Sequence, residues 1–140
     1  AQKQLSNTLR KLHYYATVCP NAISQKAAVA ALTETQDCVK EMVAEFNRRR
    51  KHVLSQLDKT EKLPYAKPKG AFYVFPNFTK FEKSDETLAI RLLTEAGVVT
   101  TPGSGFGTTG KGHLRISYST SYEQVKEGMN RIRKFLETKT

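Results

Sequence analysis

The chain has 140 residues, 39% of them hydrophobic and 26% charged, which suits one globular domain and excludes wholesale disorder and collagen-like repeats. Lysine and arginine number 23 against 13 aspartate and glutamate residues, so the formal net charge is +10. Such a charge can mark a binder of nucleic acid or another anionic surface, and it can equally mark a piece of a larger protein whose other part is more acidic. No apolar run approaches the roughly 20 residues of a membrane span.

Three helices are predicted in the first part of the chain. Leucines recur at helical spacing over 1–16, the stretch 22–36 is rich in alanine, and one apolar stripe runs along 37–58. Pro20 separates the first two helices, because proline disfavours helical geometry at the residue before it. Neither proline nor glycine separates the second helix from the third, so a continuous helix is one interpretation. The apolar stripe of the third helix consists of Val39, Met42, Val43, Phe46, Val53, Leu54 and Leu57.

A strand and a helix are predicted next. The aromatic and β-branched run over 71–75 is typical of a strand, and Pro76 closes it. A helix follows over 85–96, where Ser84 is the predicted N-cap and acidic residues occupy the favourable first turn. Gly97 is expected to end this helix, since glycine readily adopts the left-handed conformation of a helix C-terminus.

Two further strands are predicted, with a glycine-rich loop between them. The first covers 98–101, the loop covers 103–112, and the second strand covers 113–119. In the second strand apolar and polar residues alternate, which predicts one buried face and one open face. The predicted buried face carries Leu114, Ile116 and Tyr118, and the opposite face carries Arg115 and Ser117.

The last helix is predicted over 121–137, and Thr120 and Glu123 have the spacing of a capping box. The order of elements is therefore helices, strand, helix, strand, strand, helix. This order is typical of an α/β or α+β domain, in which a small three-stranded sheet packs against helices and long helices precede it.

The sequence does not indicate a metal-binding site. Cys19 and Cys38 match no metal-binding spacing and no dense disulfide pattern, and they are typical of free thiols in a reducing compartment such as the cytoplasm. The histidines His13, His52 and His113 are scattered and have no partner four residues away. We therefore expect no metal site and a cytoplasmic protein.

The glycine-rich loop contains two phosphate-binding patterns. Gly105, Gly107 and Gly110 fit G-x-G-x-x-G, and the run ending at Lys111 fits G-x-x-x-x-G-K. Both patterns require a following helix whose N-terminus binds the anion, and the second also requires serine or threonine where Gly112 stands. Because a strand is predicted next, nucleotide binding is disfavoured. A flexible connection between strands is the alternative, and it accounts for the glycines but not for the whole string.

Two basic features have competing interpretations. Arg115 is either a solvated strand residue or a clamp for a carboxylate or phosphate, because guanidinium offers two parallel donors that lysine lacks. The block Arg48-Arg49-Arg50-Lys51 is either a solvated helix face or a partner site. The net charge and this block support a standalone nucleic-acid-binding module as the alternative function.

Three strings in order resemble the C-terminal part of the class I/II aminotransferases, the pyridoxal-phosphate enzymes of fold type I. The family's patterns are a P-x-G-A-F-Y strand, a G-V-x-x-x-P-G-x-x-F-G turn and an R-I-S-[YF] strand. The matching strings are residues 67–75, 97–107 and 112–119. Upstream, His13-Tyr14-Tyr15 and Cys19-Pro20 resemble the aspartate and aromatic amino acid branches, so the resemblance covers nearly the whole chain.

The resemblance implies a function, a cofactor and partners. An enzyme of this family transfers an amino group between an amino acid and a 2-oxo acid with pyridoxal 5′-phosphate, and it works as a homodimer. Its small domain closes over an active site built mainly by a large domain and a second subunit. The family's R-I-S arginine grips the substrate α-carboxylate, and Arg115 matches it. The segments 70–73 and 102–107 match parts of the family that lie near the substrate cleft.

The resemblance also implies what these residues lack. The family's Schiff-base lysine lies in an S-[KN]-x-x-x-x-x-G-x-R-x-G-type segment ahead of the matched region, and no such segment occurs here. We therefore expect no catalytic and no cofactor-binding residue in this chain, and no amino transfer by the chain alone. The expected organisation is an N-terminal segment, 1–21, that continues from a missing large domain, followed by a small domain over 22–140. Nucleic acid and membranes are not expected partners.

Overall fold

The structure, a computed structural model, describes residues 2–60 and 63–138. The chain divides into two compact units, Ala1–Cys38 and Val39–Thr140. The first unit contains α1 (Lys3–Thr17) and α2 (Ala22–Thr33). Asn21 caps α2, because its side-chain oxygen accepts hydrogen bonds from the amides of Ile23 and Ser24, at 2.8 and 3.3 Å. No residue of either helix is buried.

The helix α3 (Asp37–Lys59) is separate from α2. The prediction of a helix over 22–36 is too long at its C-terminal end, because Glu34 is extended and interrupts the helical backbone. Of the predicted stripe on α3, Val53 and Leu57 are fully buried, whereas Val39, Met42 and Val43 are exposed. The stripe is thus fully buried only in the C-terminal half of the helix, and Phe46 packs against the core as a partly buried residue.

The second unit is built around a three-stranded antiparallel sheet. Its strands are β1 (Tyr73–Val74), β2 (Thr101–Pro102) and β3 (Leu114–Ser117), in the order β1-β3-β2. The central strand β3 pairs Ile116 with Val74 on one side and Arg115 with Thr101 on the other. The predicted class is confirmed: a small sheet packs against helices in an α+β arrangement.

Two helices complete this unit, α4 (Asp85–Ala96) and α5 (Tyr122–Glu137). The predicted caps of α4 are confirmed: the Ser84 side chain accepts from the amide of Thr87, and Gly97 has a φ of +64°. The helix α5 is capped by Ser121, which accepts from the amide of Gln124, so the predicted capping box was wrong by one residue.

The two outer strands are shorter than predicted. The strand predicted over 98–101 is observed at 101–102, because the amide of Val98 still bonds to Leu92 at the end of α4. Val99 is 80% exposed. The strand predicted over 71–75 is reduced to two residues, since Ala71 has a φ of +56° and Pro76 cannot donate to a ladder.

The core of the second unit joins one face of the sheet to the helices. Leu114, Ile116 and Tyr118 are buried, as the alternation in β3 predicted. They form one cluster with buried side chains of α3, α4 and α5, namely Val53, Leu57, Leu88, Leu92, Val125, Met129, Ile132 and Leu136. Arg115, which alternates with these residues, is left on the open face of the strand. None of the helices in the described part of the chain combines the length and apolar character that crossing a membrane requires.

Candidate functional site

Arg115 lies in the middle of the central strand and is half-buried. One guanidinium nitrogen donates a hydrogen bond of 3.3 Å to the hydroxyl of Thr101 on the neighbouring strand β2. Thr101 is directly opposite Arg115 in the strand register, so the pairing of β2 with β3 fixes this contact. Over residues 2–60 and 63–138, Arg115 forms no ion pair with a carboxylate, and most of its five N–H donors stay available.

Two aromatic rings pack against the guanidinium of Arg115. Its central carbon lies 4.5 Å from the ring centre of Tyr73 on β1 and 4.9 Å from that of Phe106 in the glycine-rich loop. Both distances fall within the range of cation–π attraction. Tyr73 and Phe106 belong to the two segments that the sequence associated with a substrate cleft. The aromatic rings of the sheet and the loop therefore hold the planar Arg115 guanidinium. The described residues place no carboxylate against it.

The glycine-rich loop is folded tightly against itself. It contains two 3₁₀ turns, Gly103–Phe106 and Thr108–Gly110. The amide of Gly103 donates to the carbonyl of His113 at 2.8 Å, and the amide of His113 donates to the carbonyl of Gly110 at 3.0 Å. Gly103 and Gly110 are in direct backbone contact, so a Cβ on either would collide with the carbonyl oxygen of the other. A flexible connection was therefore the wrong interpretation for the two ends of this loop.

The loop lacks the geometry of a phosphate-binding loop. The strand β3 follows it, as predicted, and the required helix N-terminus is absent at this point of the described chain. The exposed tip of the loop carries Phe106, which is 53% exposed. The ring of Phe106 meets Phe75 edge-on at 6.0 Å, and Phe75 stacks on His113 at 5.0 Å. These rings connect the loop tip to the base of the loop.

Asp85 is a residue of this region whose role the sequence did not reveal. It is only 6% exposed, and one carboxylate oxygen accepts from the amide of Ser104 at 2.7 Å. The other oxygen accepts from the amide of Gly112 at 3.4 Å. Burial alone would raise the pKa of Asp85, but the hydrogen bonds from Ser104 and Gly112 favour the charged form and hold the pKa below its ordinary value.

The basic block on α3 is engaged within the protein. Glu45 accepts hydrogen bonds from Arg48 and Arg49, and these hydrogen bonds lower the pKa of Glu45 to about 2. Arg48 also lies 3.9 Å from the ring centre of Tyr122, while Arg50 donates to the carbonyl of Pro68 at 3.0 Å. The contacts with Tyr122 and Pro68 bind α3 to neighbouring segments. They give no support to the alternative of a nucleic-acid interface.

The described residues do not fit pyridoxal phosphate as its primary binding site. All described lysines are exposed, whereas a lysine that anchors the cofactor needs a shaped, desolvated environment to act as a nucleophile. Asp85, the buried carboxylate of the described chain, is occupied by two backbone amides. Among the described residues, Arg115 combines partial burial with N–H donors that meet no carboxylate.

Known proteins are similar to this chain over nearly its whole length. Residues 1–132 match the family described as aminotransferase class I and II. An aspartate aminotransferase of Pyrococcus horikoshii is 42% identical over 139 residues, which cover 98% of this chain and 36% of the relative. The chain therefore spans about a third of the length of this relative.

Solved structures agree with this match. An aromatic aminotransferase from Pyrococcus horikoshii superposes with a TM-score of 0.85 at 40% identity and covers 91% of this chain and 35% of that one. An alanine aminotransferase from Pyrococcus furiosus gives a TM-score of 0.87 at 33% identity, with 98% of this chain and 36% of that chain covered. The fold of the present chain is therefore the fold of the matching part of these proteins.

Proposed function

The chain belongs to the class I and II aminotransferases, and we propose that the longer protein containing it transfers an amino group between an amino acid and a 2-oxo acid. The family match and the named relatives support the reaction class. They include aspartate, aromatic and alanine aminotransferases, so the reaction is proposed without choosing one amino acid.

Within that reaction, Arg115 is proposed to bind the α-carboxylate of the substrate. The observation that carries this proposal is a half-buried guanidinium held by Thr101, Tyr73 and Phe106 and without an acidic partner in the described chain. Guanidinium donates two parallel hydrogen bonds that match two carboxylate oxygens. A substrate held at its carboxylate would have its Cα–H bond kept in one orientation, which favours proton removal.

The proposed cofactor is pyridoxal 5′-phosphate, held mainly by residues outside this chain. When bound, this cofactor would supply an electron sink. Because the described lysines are exposed, the chain alone is proposed to be inactive. To test this, the chain would be incubated with the cofactor and reduced with borohydride, and the mass of the product would be measured. One stoichiometric adduct together with amino-transfer turnover would contradict the proposal.

Further parts of the longer protein are proposed to cover the chain's exposed apolar side chains. In the first unit, Leu5, Leu9 and Leu12 of α1 are more than half exposed. We assign 1–21 to a segment that continues from a large domain and 22–140 to the small domain, with a homodimer as the working enzyme.

Cys19 and Cys38, both free, are compatible with a reducing compartment such as the cytoplasm.

The substitution Arg115→Lys tests the proposed role. It keeps the positive charge but removes the paired donors, so kcat/KM in the complete protein should fall about ten- to a hundredfold. The matched control is Arg131→Lys on α5. Arg131 forms a surface ion pair with Glu127, and a lysine at this position can still pair with Glu127. Thermal unfolding of both variants should stay close to that of the parent. Unchanged kinetics of Arg115→Lys, or a fall equalled by the control, would refute the carboxylate-binding role.

A further inference from the structure

Asp85 is the charged residue that the described chain buries most completely, and backbone amides rather than a described cation stabilise its charge. Its exposed fraction is 6%, and its partners are the backbone amides of Ser104 and Gly112. A buried carboxylate is costly unless hydrogen bonds satisfy both oxygens. The two amides meet this need, so the charge of Asp85 and the position of the loop depend on each other.

Asp85 is not needed to begin its own helix. The N-cap of α4 is Ser84, whose hydroxyl accepts from the amide of Thr87 at 3.2 Å. The carboxylate of Asp85, at the first position of the helix, instead bonds to residues 19 and 27 positions further along the chain. The cap and the loop anchor are therefore separate functions of adjacent residues.

The two oxygens of Asp85 hold the two ends of the glycine-rich loop. Ser104 lies at the start of the loop, beside Gly103, and Gly112 lies at its end, beside His113. Between these anchored ends the loop carries Phe106, which packs on the guanidinium of Arg115 at 4.9 Å. A chain of contacts thus runs from Asp85 through the loop to Phe106 and Arg115, although no contact joins Asp85 to Arg115 in the described structure.

We propose that Asp85 is a positioning residue for substrate binding: it anchors both ends of the loop so that Phe106 holds the Arg115 guanidinium ready for a carboxylate. This inference rests on the proposed function. It assigns to α4 a part in substrate affinity through the loop that Asp85 anchors. The chemical class recognised is the carboxylate shared by amino-acid and 2-oxo-acid substrates.

The variant Asp85→Asn removes the charge at nearly constant volume and places an amide donor against a backbone donor. In the complete protein, KM for both substrates should rise roughly tenfold, because a charge-assisted hydrogen bond is lost. The value of kcat should change much less, since an affinity defect acts on ground state and transition state alike. Glu86→Gln is the matched control, because Glu86 is the next residue of α4, is exposed and forms no hydrogen bond or ion pair with the described loop. This control should leave KM unchanged.

Phe106→Leu distinguishes positioning from a general loss of stability. If Asp85 acts through Phe106, Asp85→Asn in the Phe106→Leu background should raise KM less than about twofold. The effects on KM of two substitutions in one chain of contacts are not additive. Amide exchange gives a second readout that is independent of activity. In Asp85→Asn, the amides of Ser104 and Gly112 should exchange at least about tenfold faster than in the Glu86→Gln control.

The outcomes separate this inference from the proposed function. If Arg115→Lys has its expected effect and Asp85→Asn leaves KM unchanged, or if the effects of Asp85→Asn and Phe106→Leu add fully, the positioning role is overturned. If Arg115→Lys has no effect, the proposed function fails and the positioning role falls with it, even if exchange at Ser104 and Gly112 confirms the anchor. Should Asp85→Asn fail to fold, Asp85→Ser replaces it, since its shorter side chain places no amide donor against the two loop amides.

Discussion

Replacing Gly103 with alanine tests whether the glycine-rich loop is the closed structure described above. The added Cβ would collide with the carbonyl oxygens of Gly110 and His113 and press on the ring of Phe75. Two of these three obstacles are backbone atoms, which cannot rotate away as a flexible side chain can. The two ends of the loop would therefore have to separate.

The expected cost follows from the hydrogen bonds that this separation breaks. They are Gly103 to His113 at 2.8 Å, His113 to Gly110 at 3.0 Å and Ser104 to Asp85 at 2.7 Å. Neutral hydrogen bonds contribute about 1 kcal/mol each, and a bond to a buried carboxylate contributes roughly 1.5–3 kcal/mol. Partial relaxation would preserve some of this, so we expect a destabilisation of about 2–4 kcal/mol.

Urea unfolding of the chain provides the assay, with Gly105→Ala as a control in the same loop. A Cβ at Gly105 meets nothing within 4 Å, so this variant should differ from the parent by less than about 0.5–1 kcal/mol. The unfolding midpoint should fall for Gly103→Ala at an unchanged slope. Equal midpoints for the two variants would refute the closed-loop account and return the loop to a flexible connection.

Two further predictions concern backbone strain and alkaline pH. Ala71 has a φ of +56°, which glycine tolerates better, so Ala71→Gly should stabilise the chain by roughly 0.5–1 kcal/mol in the same urea assay; a loss of stability would contradict this. Burial and the hydrogen bond that its hydroxyl donates to Asp58 raise the pKa of Tyr65 from 10.0 to about 12. The unfolded chain thus loses the Tyr65 proton at lower pH than the folded chain, so the free energy of unfolding should fall as pH rises from about 10 to about 12. In Tyr65→Phe, the free energy of unfolding should depend less on pH over this range. An unaltered pH dependence would contradict the assignment.

Features set by neighbouring residues could be predicted from the sequence. The caps Ser84 and Gly97 were predicted correctly, because each acts within one turn of α4. The alternation of β3 also predicted which residues are buried, since side chains of a strand point to opposite faces. The family resemblance identified Arg115 as the candidate for substrate binding.

Features set by distant contacts could not be predicted in this way. The ends of β1 and β2 depend on pairing with β3, and the predicted strands over 71–75 and 98–101 were accordingly misplaced or too long. Asp85 resembled an ordinary acidic residue of a first helical turn, because its partners Ser104 and Gly112 are 19 and 27 residues away. Closure of the loop likewise depends on the contact between Gly103 and Gly110, which no local pattern reveals.

The central claim is that Arg115 binds the α-carboxylate of the substrate, and a specificity ratio tests it most directly. The complete protein would be assayed with an amino acid that it accepts and with the corresponding amine, which lacks only the α-carboxylate. In Arg115→Leu, kcat/KM for the amino acid should fall at least about tenfold while kcat/KM for the amine stays the same, so their ratio should collapse. Because the amine reports the fraction of working enzyme, misfolding would lower both values and leave the ratio intact. A ratio that is unchanged in Arg115→Leu would contradict the account.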